Sequence, residues 1–153
     1  MKLKIIWIGK NKSAELTLIC DEFSRRIRHF IPMEIIEIRN PRVTDEQRRK
    51  EAEGEKILSV LDNPVFAVAL DPIGRTYDSL GFSQFLNKHM TLDTRNLAFV
   101  VGGYGGLSVG VKDRADQLLS LSDLTFSQDP SRLVLLEQLY RALSIIRNFP
   151  YAK

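Results

Sequence analysis

One cysteine, Cys20, stands in 153 residues, which excludes an intrachain disulfide and a cysteine-ligated metal cluster. Histidine is nearly as scarce. His29 and His89 fall in helix-end contexts with no second ligand at useful spacing, so both read as surface residues rather than metal ligands or catalytic bases. No window approaches the roughly 18 consecutive apolar residues that a membrane-spanning helix needs. The apolar run in MKLKIIWIGKNKS is too short for a secretory signal and ends in Gly-Lys-Asn-Lys, as a first strand would. No Gly-Lys-Ser/Thr follows the glycine-rich segment, which rules out a P-loop, and no GxGxxG fingerprint lies near the N-terminus. Repeats, low-complexity tracts and linkers are also missing. The expectation is a single cytoplasmic domain over 1–153, with no metal and no membrane association.

What is present fits one globular domain with a real core. Hydrophobic residues make up 44% and charged residues 27%. The net charge of +3 is too small to indicate RNA by itself. Its distribution says more, because Arg25, Arg26 and Arg28 cluster and Arg39, Arg42, Arg48, Arg49 and Lys50 follow closely. Two readings stand: solvated helix faces, or a phosphate-binding surface.

The most informative stretch is LAFVVGGYGGLSVGVKDRADQLLSLSDLTF, Leu97 to Phe126. It reads as strand, glycine loop, helix and a second strand over Leu121 to Phe126. Gly102, Gly103, Gly105 and Gly106 leave Tyr104 as the only side chain of the loop. Such a backbone can come close to a ligand, and glycine loops after strands often cradle nucleotides. A tight strand-to-helix turn explains the glycines as well.

Elsewhere, Leu3 to Ile8 and Met33 to Ile38 read as strands. Between them Ser13 caps a helix to about His29, with Leu16, Ile19, Phe23 and Ile27 facing the core. Thr44 and Gln47 have the capping-box spacing before a charged helix that offers a surface for RNA or a partner. Val65 to Leu70 suits a doubly buried strand, and Asp71 to Gly74 a turn. Asp71 there serves either that turn or a ribose. Ser79 to Met90 is a helix with Leu80, Phe82, Phe85 and Leu86 as its apolar set. After a loop at Ser127 to Pro130, Ser131 caps a last helix that is apolar on more than one face. Arg141 lies amid its leucines, which fits a surface residue or, preferably, a buried arginine aimed at phosphate or carboxylate. Alternating strands and helices give an α/β protein, its sheet mostly parallel and covered on both faces. Ligands then bind beyond the strand ends at Leu70, Gly102 to Gly106 and Leu121 to Phe126.

Several pieces together resemble one family: MKLKIIWIGK, the LDPIG of Leu70 to Gly74, VVGGYGGLS at Val100 to Ser108, LSLSDLTF at Leu119 to Phe126, and LLEQLYRALSIIRNFPY at Leu135 to Tyr151. The chain is similar along its whole length to the RlmH family, SPOUT-class methyltransferases of bacterial large-subunit ribosomal RNA. The resemblance implies an α/β knot, with a C-terminal trefoil that generic folding rules would exclude. It also implies a homodimer that binds S-adenosyl-L-methionine and methylates ring nitrogen 3 of a pseudouridine in 23S ribosomal RNA of the assembled ribosome. Matched position by position, the cofactor residues are Leu70, Gly102, Gly103, Leu121, Ser122, Asp123, Leu124, Thr125 and Phe126, and the catalytic ones Arg141, Tyr151 and Lys153. Two departures stand out. The family carries Pro-His after its last strand, where this chain has Ser127-Gln128-Asp129-Pro130. It ends in Tyr-His-Lys/Arg, where this chain has Tyr151-Ala152-Lys153. The missing histidine opens an alternative, a knotted ribosome-binding or RNA-binding protein that keeps the cofactor pocket with weakened catalysis.

Overall fold

A computed structural model describes residues 1–61, 64–93 and 95–151. Five strands form one sheet in the order β2-β1-β4-β3-β5, and every pair in it is parallel. The strands are β1 (Leu3–Ile8), β2 (Met33–Ile38), β3 (Val65–Arg75), β4 (Asn96–Val101) and β5 (Gln117–Leu119). The helices are α1 (Ala14–Arg28), α2 (Glu46–Val60), α3 (Ser79–Leu92), α4 (Val109–Arg114) and α5 (Gln128–Ile146). Alternation along β1 sorts its side chains between two cores. Leu3, Ile5 and Trp7 join α1, α3 and α5 on one face, while Ile6 and Ile8 join Ile57 of α2 and Val111 of α4 on the other. Both faces are therefore buried, as parallel strands require.

Local chemistry sets most boundaries. Ser13 accepts from the Leu16 N–H and opens α1, and Asp78 does the same for α3 through the Gly81 N–H. At α2 the cap is Asp45, bonded to the Arg48 N–H, so the Thr44 capping box is displaced by one residue. Ile19 and Leu80, expected in the core, are exposed; Ile27 is buried as expected, and Cys20 and Ser24 share its buried stripe on α1. His89, expected on the surface, is buried between the Phe66 and Phe85 rings.

Three other expectations change. β3 does not stop at Leu70: Asp71 to Gly74 arch outward, and Arg75 returns to pair with Leu119, which also pairs with Leu70. Leu121 to Phe126 is not a strand but an irregular loop after β5. There Ser122 turns the chain back, its hydroxyl accepting from the Leu124 N–H while its carbonyl accepts from the Ser120 hydroxyl. Ser127 to Pro130 is not a loop, since α5 begins at Gln128 with Pro130 in its first turn, where a missing N–H costs nothing.

Candidate functional site

A cavity of about 610 Å³ opens beyond the C-terminal ends of β3, β4 and β5, a volume in the usual range for small-molecule sites. Its walls are Leu70 to Pro72, the glycine loop after β4, Leu119 to Ser127, and Gln128 and Ser131 of α5. All nine positions expected to hold cofactor line this one space. The three segments thus share one cavity, the third of them as a loop rather than a strand.

The glycine loop is a closed turn. Gly103 and Gly106 form an antiparallel bridge, the Gly106 N–H donates to the Gly103 carbonyl at 3.0 Å, and Gly106 takes a positive φ of 84°. A Cβ on Gly102 would lie 2.9 Å from the Gly106 carbonyl carbon, and one on Gly103 would lie 2.7 Å from the Glu53 carboxylate. These two glycines are thus required by the protein's own packing: one lets the loop close, the other lets α2 pass behind it. A side chain at Gly103 would meet the Glu53 carboxylate of α2.

Glu53 is 5% exposed, and burial raises its pKa against the opposing charge of Arg49. Across the site, Asp71 is held by Lys112 of α4 at 2.8 Å, and its other oxygen accepts from the Ile73 N–H at 3.0 Å. Burial opposes its ionisation, but these bonds prevail and its pKa is lowered. The carboxylate therefore braces the arch rather than offering two free oxygens to a ribose. Leu121 is half-buried, while Leu124 is 74% and Phe126 36% exposed. Leu124 and Phe126 are apolar walls whose outer side is open.

Arg141 and Tyr151 are placed elsewhere. Ser131 lines the cavity, and ten residues of helix separate it from Arg141, about 15 Å at 1.5 Å per residue. There Arg141 pairs with Glu137 at 2.7 Å and lies 5.0 Å from the centroid of the Tyr151 ring. The Tyr151 hydroxyl donates to the same Glu137 carboxylate at 3.1 Å. Burial first, then this bond, raises the Tyr151 pKa. Tyr151 is a proton donor in this cluster and not a base. Within one chain the cofactor residues and these two catalytic candidates are not brought together, and Lys153 lies outside the described residues.

The buried arginine that the sequence suggested exists, but it is Arg132. It is wholly buried, donates to the carbonyls of Ile8 and Gly9 and to the Asn11 amide oxygen, and lies 4.7 Å from the Trp7 ring centroid. One turn earlier, Asp129 accepts from the Lys12 and Ser13 N–H groups at 2.7 and 2.8 Å. Asp129 thus holds the β1–α1 loop to α5. A signal was available: Asp129 and Arg132 are three apart on the apolar side of a helix, a spacing that puts them on one face.

A family model described as "Predicted SPOUT methyltransferase" matches residues 1–152. A Ribosomal RNA large subunit methyltransferase H from Christiangramia forsetii is 40% identical, covering 99% of this chain and 98% of that protein. One from Trichlorobacter lovleyi is 38% identical, covering 99% of both. Among solved structures, a probable methylase family protein from Haemophilus influenzae superposes with a TM-score of 0.56 at 13% identity, covering 95% of this chain and 66% of that one. That likeness concerns the fold alone. Full-length similarity at this level, joined to a sheet whose strand-end loops enclose one cavity, establishes that the chain belongs to the SPOUT methyltransferase family.

Proposed function

We propose that this S-adenosyl-L-methionine-dependent rRNA methyltransferase acts on ring nitrogen 3 of a pseudouridine in 23S ribosomal RNA of the assembled ribosome. The observation that carries the reading is the convergence of Leu70, Gly102, Gly103 and Leu121 to Phe126 on one cavity, in a chain whose full-length relatives are named for large-subunit rRNA methylation. These residues suit the cofactor. Nearly bare main chain at the glycine loop offers amide and carbonyl groups to an adenine edge, while Leu121, Leu124 and Phe126 offer apolar walls. When bound, the cofactor supplies an electrophilic methyl on a sulfonium. The ring nitrogen would have to release its proton to water before accepting that methyl, so this chain's part is to orient the base in line and stabilise the anion.

Arg141 and Tyr151 supply the right groups, a guanidinium and a phenol donor, but stand away from their own cavity. The reading therefore includes a homodimer in which the tail of one protomer completes the cavity of the other. Exposed Leu18 and Ile19 on α1 and Ile145 and Phe149 at the end of α5 support it, since α1 and α5 pack together and this apolar surface needs cover. The knot belongs to the same reading. A Cβ on Gly74 would lie 2.5 Å from the Leu119 nitrogen, and this close approach of β5 to the Asp71 to Gly74 arch supports it. A single domain over 1–153 and a cytoplasmic location complete it.

Purified protein, labelled S-adenosyl-L-methionine and ribosomes lacking the modification provide the test. Nucleoside mass spectrometry is expected to find one new methyl on pseudouridine. No methyl transfer to any rRNA would overturn the reading. The second reading, a ribosome-binding protein with weakened catalysis, is motivated by Ala152 in place of the family's histidine. It predicts tight ribosome binding with turnover restored by Ala152→His.

A further inference from the structure

Tyr104 is the one side chain on a loop otherwise built of glycine, and it is 89% exposed. It lines the cavity together with Leu124 and Phe126, whose side chains are also exposed, so all three lie at its open edge. A large ring held out into water by a constrained turn calls for a partner. The turn is constrained twice. The Gly103–Gly106 bridge closes it, and α2 backs it, with Glu53 against Gly103, Glu46 near Gly105 and Gly54 against Ser108. Tyr104 is therefore presented by a fixed support, and ordering it on contact costs little beyond two side-chain torsions.

Charge at the same rim indicates the partner. Glu46 and Glu53 of α2 both approach the glycine loop, and Arg49 and Lys50, three and four residues on from Glu46, lie on that same face of the helix. Two cations on the helix that backs the loop, with an aromatic at the loop's tip, make the combination used to hold single-stranded nucleic acid: backbone phosphate on the cations, a base face on the ring. Sequence-tolerant stacking suits a nucleotide next to the one whose base enters the cavity.

We propose that Tyr104, with Arg49 and Lys50, forms a stacking platform at the cavity rim for an unpaired base flanking the methylated nucleotide. This deepens the rRNA methyltransferase reading and rests on it. On docking, the ring covers the open side of the cavity, so RNA capture and exclusion of water from the methyl-transfer site become one event.

Steady-state methylation of ribosomes by wild type, Tyr104→Ala and Tyr104→Phe tests it, with cofactor affinity by calorimetry and mass by light scattering. Tyr104→Ala is expected to lower kcat/KM for ribosomes about tenfold, mainly through KM, with cofactor Kd within twofold and unchanged mass. Tyr104→Phe keeps the ring and should match wild type. A double Arg49→Gln, Lys50→Gln variant should flatten the salt dependence of KM. An unchanged kcat/KM in Tyr104→Ala overturns the platform. So does a loss confined to cofactor Kd, which would put the ring on the cofactor, or a change of mass, which would put it against a second chain. Should wild type itself transfer no methyl to rRNA, the parent reading fails rather than the platform alone.

Discussion

The two ends of α5 carry two arginines with opposite surroundings. At the N-terminal end Arg132 is wholly buried and spends its donors on the protein's own carbonyls at Ile8 and Gly9. Burial lowers its pKa, opposed first by the charge of Asp129 and then by that of Glu37. At the other end Arg141 is 27% exposed, with a carboxylate and a phenol beside it. The first holds the β1–α1 loop in place next to the cavity; the second is held on a partly exposed face of α5 by Glu137 and the Tyr151 ring. Burial alone is thus a poor guide to a reactive arginine, because a deeply buried one can turn its terminal nitrogens onto the protein's own oxygens, as both Nη atoms of Arg132 do.

Arg132→Met should break that contrast at its structural end. It removes the donor from the Gly9 carbonyl and the Asn11 amide oxygen and leaves the Ile8 carbonyl with Gln128 alone, at about 1–3 kcal/mol for a buried group left unsatisfied, and it empties the guanidinium site over Trp7. The expected loss is on the order of 3 kcal/mol or more, read as a lower denaturation midpoint at unchanged slope. A midpoint within experimental scatter of wild type would remove the locking role. Arg141→Ala should instead leave the midpoint nearly unchanged, since the Arg141–Glu137 pair is partly exposed and such pairs contribute little. Its expected effect is on turnover, a fall in kcat of about a hundredfold with cofactor Kd within twofold. Wild-type turnover in this variant would take Arg141 out of the site.

Gly103→Val sharpens the comparison at the cavity. The new side chain meets Glu53 and α2 before any ligand, so either the glycine loop or the helix must shift. Cofactor affinity is expected to fall at least tenfold, with a lower denaturation midpoint as a second sign of displaced packing. Gly103→Val combined with Glu53→Ala should recover part of both, by vacating the space that the branched side chain needs. Full affinity in the single variant would show that the loop is freer than its contacts indicate.

These contrasts also mark how far sequence could reach. The parallel sheet and the strand-end cavity were legible because hydrophobic period and glycine content act locally, over a few residues. The path of Leu121 to Phe126 was not, because the run is apolar enough for a strand while Ser122 diverts the chain through bonds of its own. Asp71 to Gly74 looked like a plain turn because pairing of Arg75 with Leu119 joins residues 44 positions apart. Arg132 escaped notice for the same reason: the carbonyls that receive it belong to β1 and the loop after it, more than 120 positions away. His89 seemed a surface residue until Phe66 and Phe85 closed over it.

Glu53 offers the smallest and most specific test of the cavity end. Its carboxyl is buried behind the glycine loop, and burial raises its pKa despite Arg49. The folded protein therefore holds this proton to higher pH than the unfolded chain does. Its contribution to stability is complete below the unfolded carboxyl range, near pH 4, and is lost as pH rises through the raised folded pKa. Glu53→Gln keeps the shape and removes the titration. The variant should match wild type at pH 4 and become progressively more stable than wild type toward pH 7, by chemical denaturation across that range. If the charge also sets the loop, cofactor affinity of wild type should vary over the same pH window and that of Glu53→Gln should not. A stability difference between the two proteins that stays flat from pH 4 to 7 would mean that the carboxyl is solvated in the fold, and that Gly103 faces water rather than a buried acid.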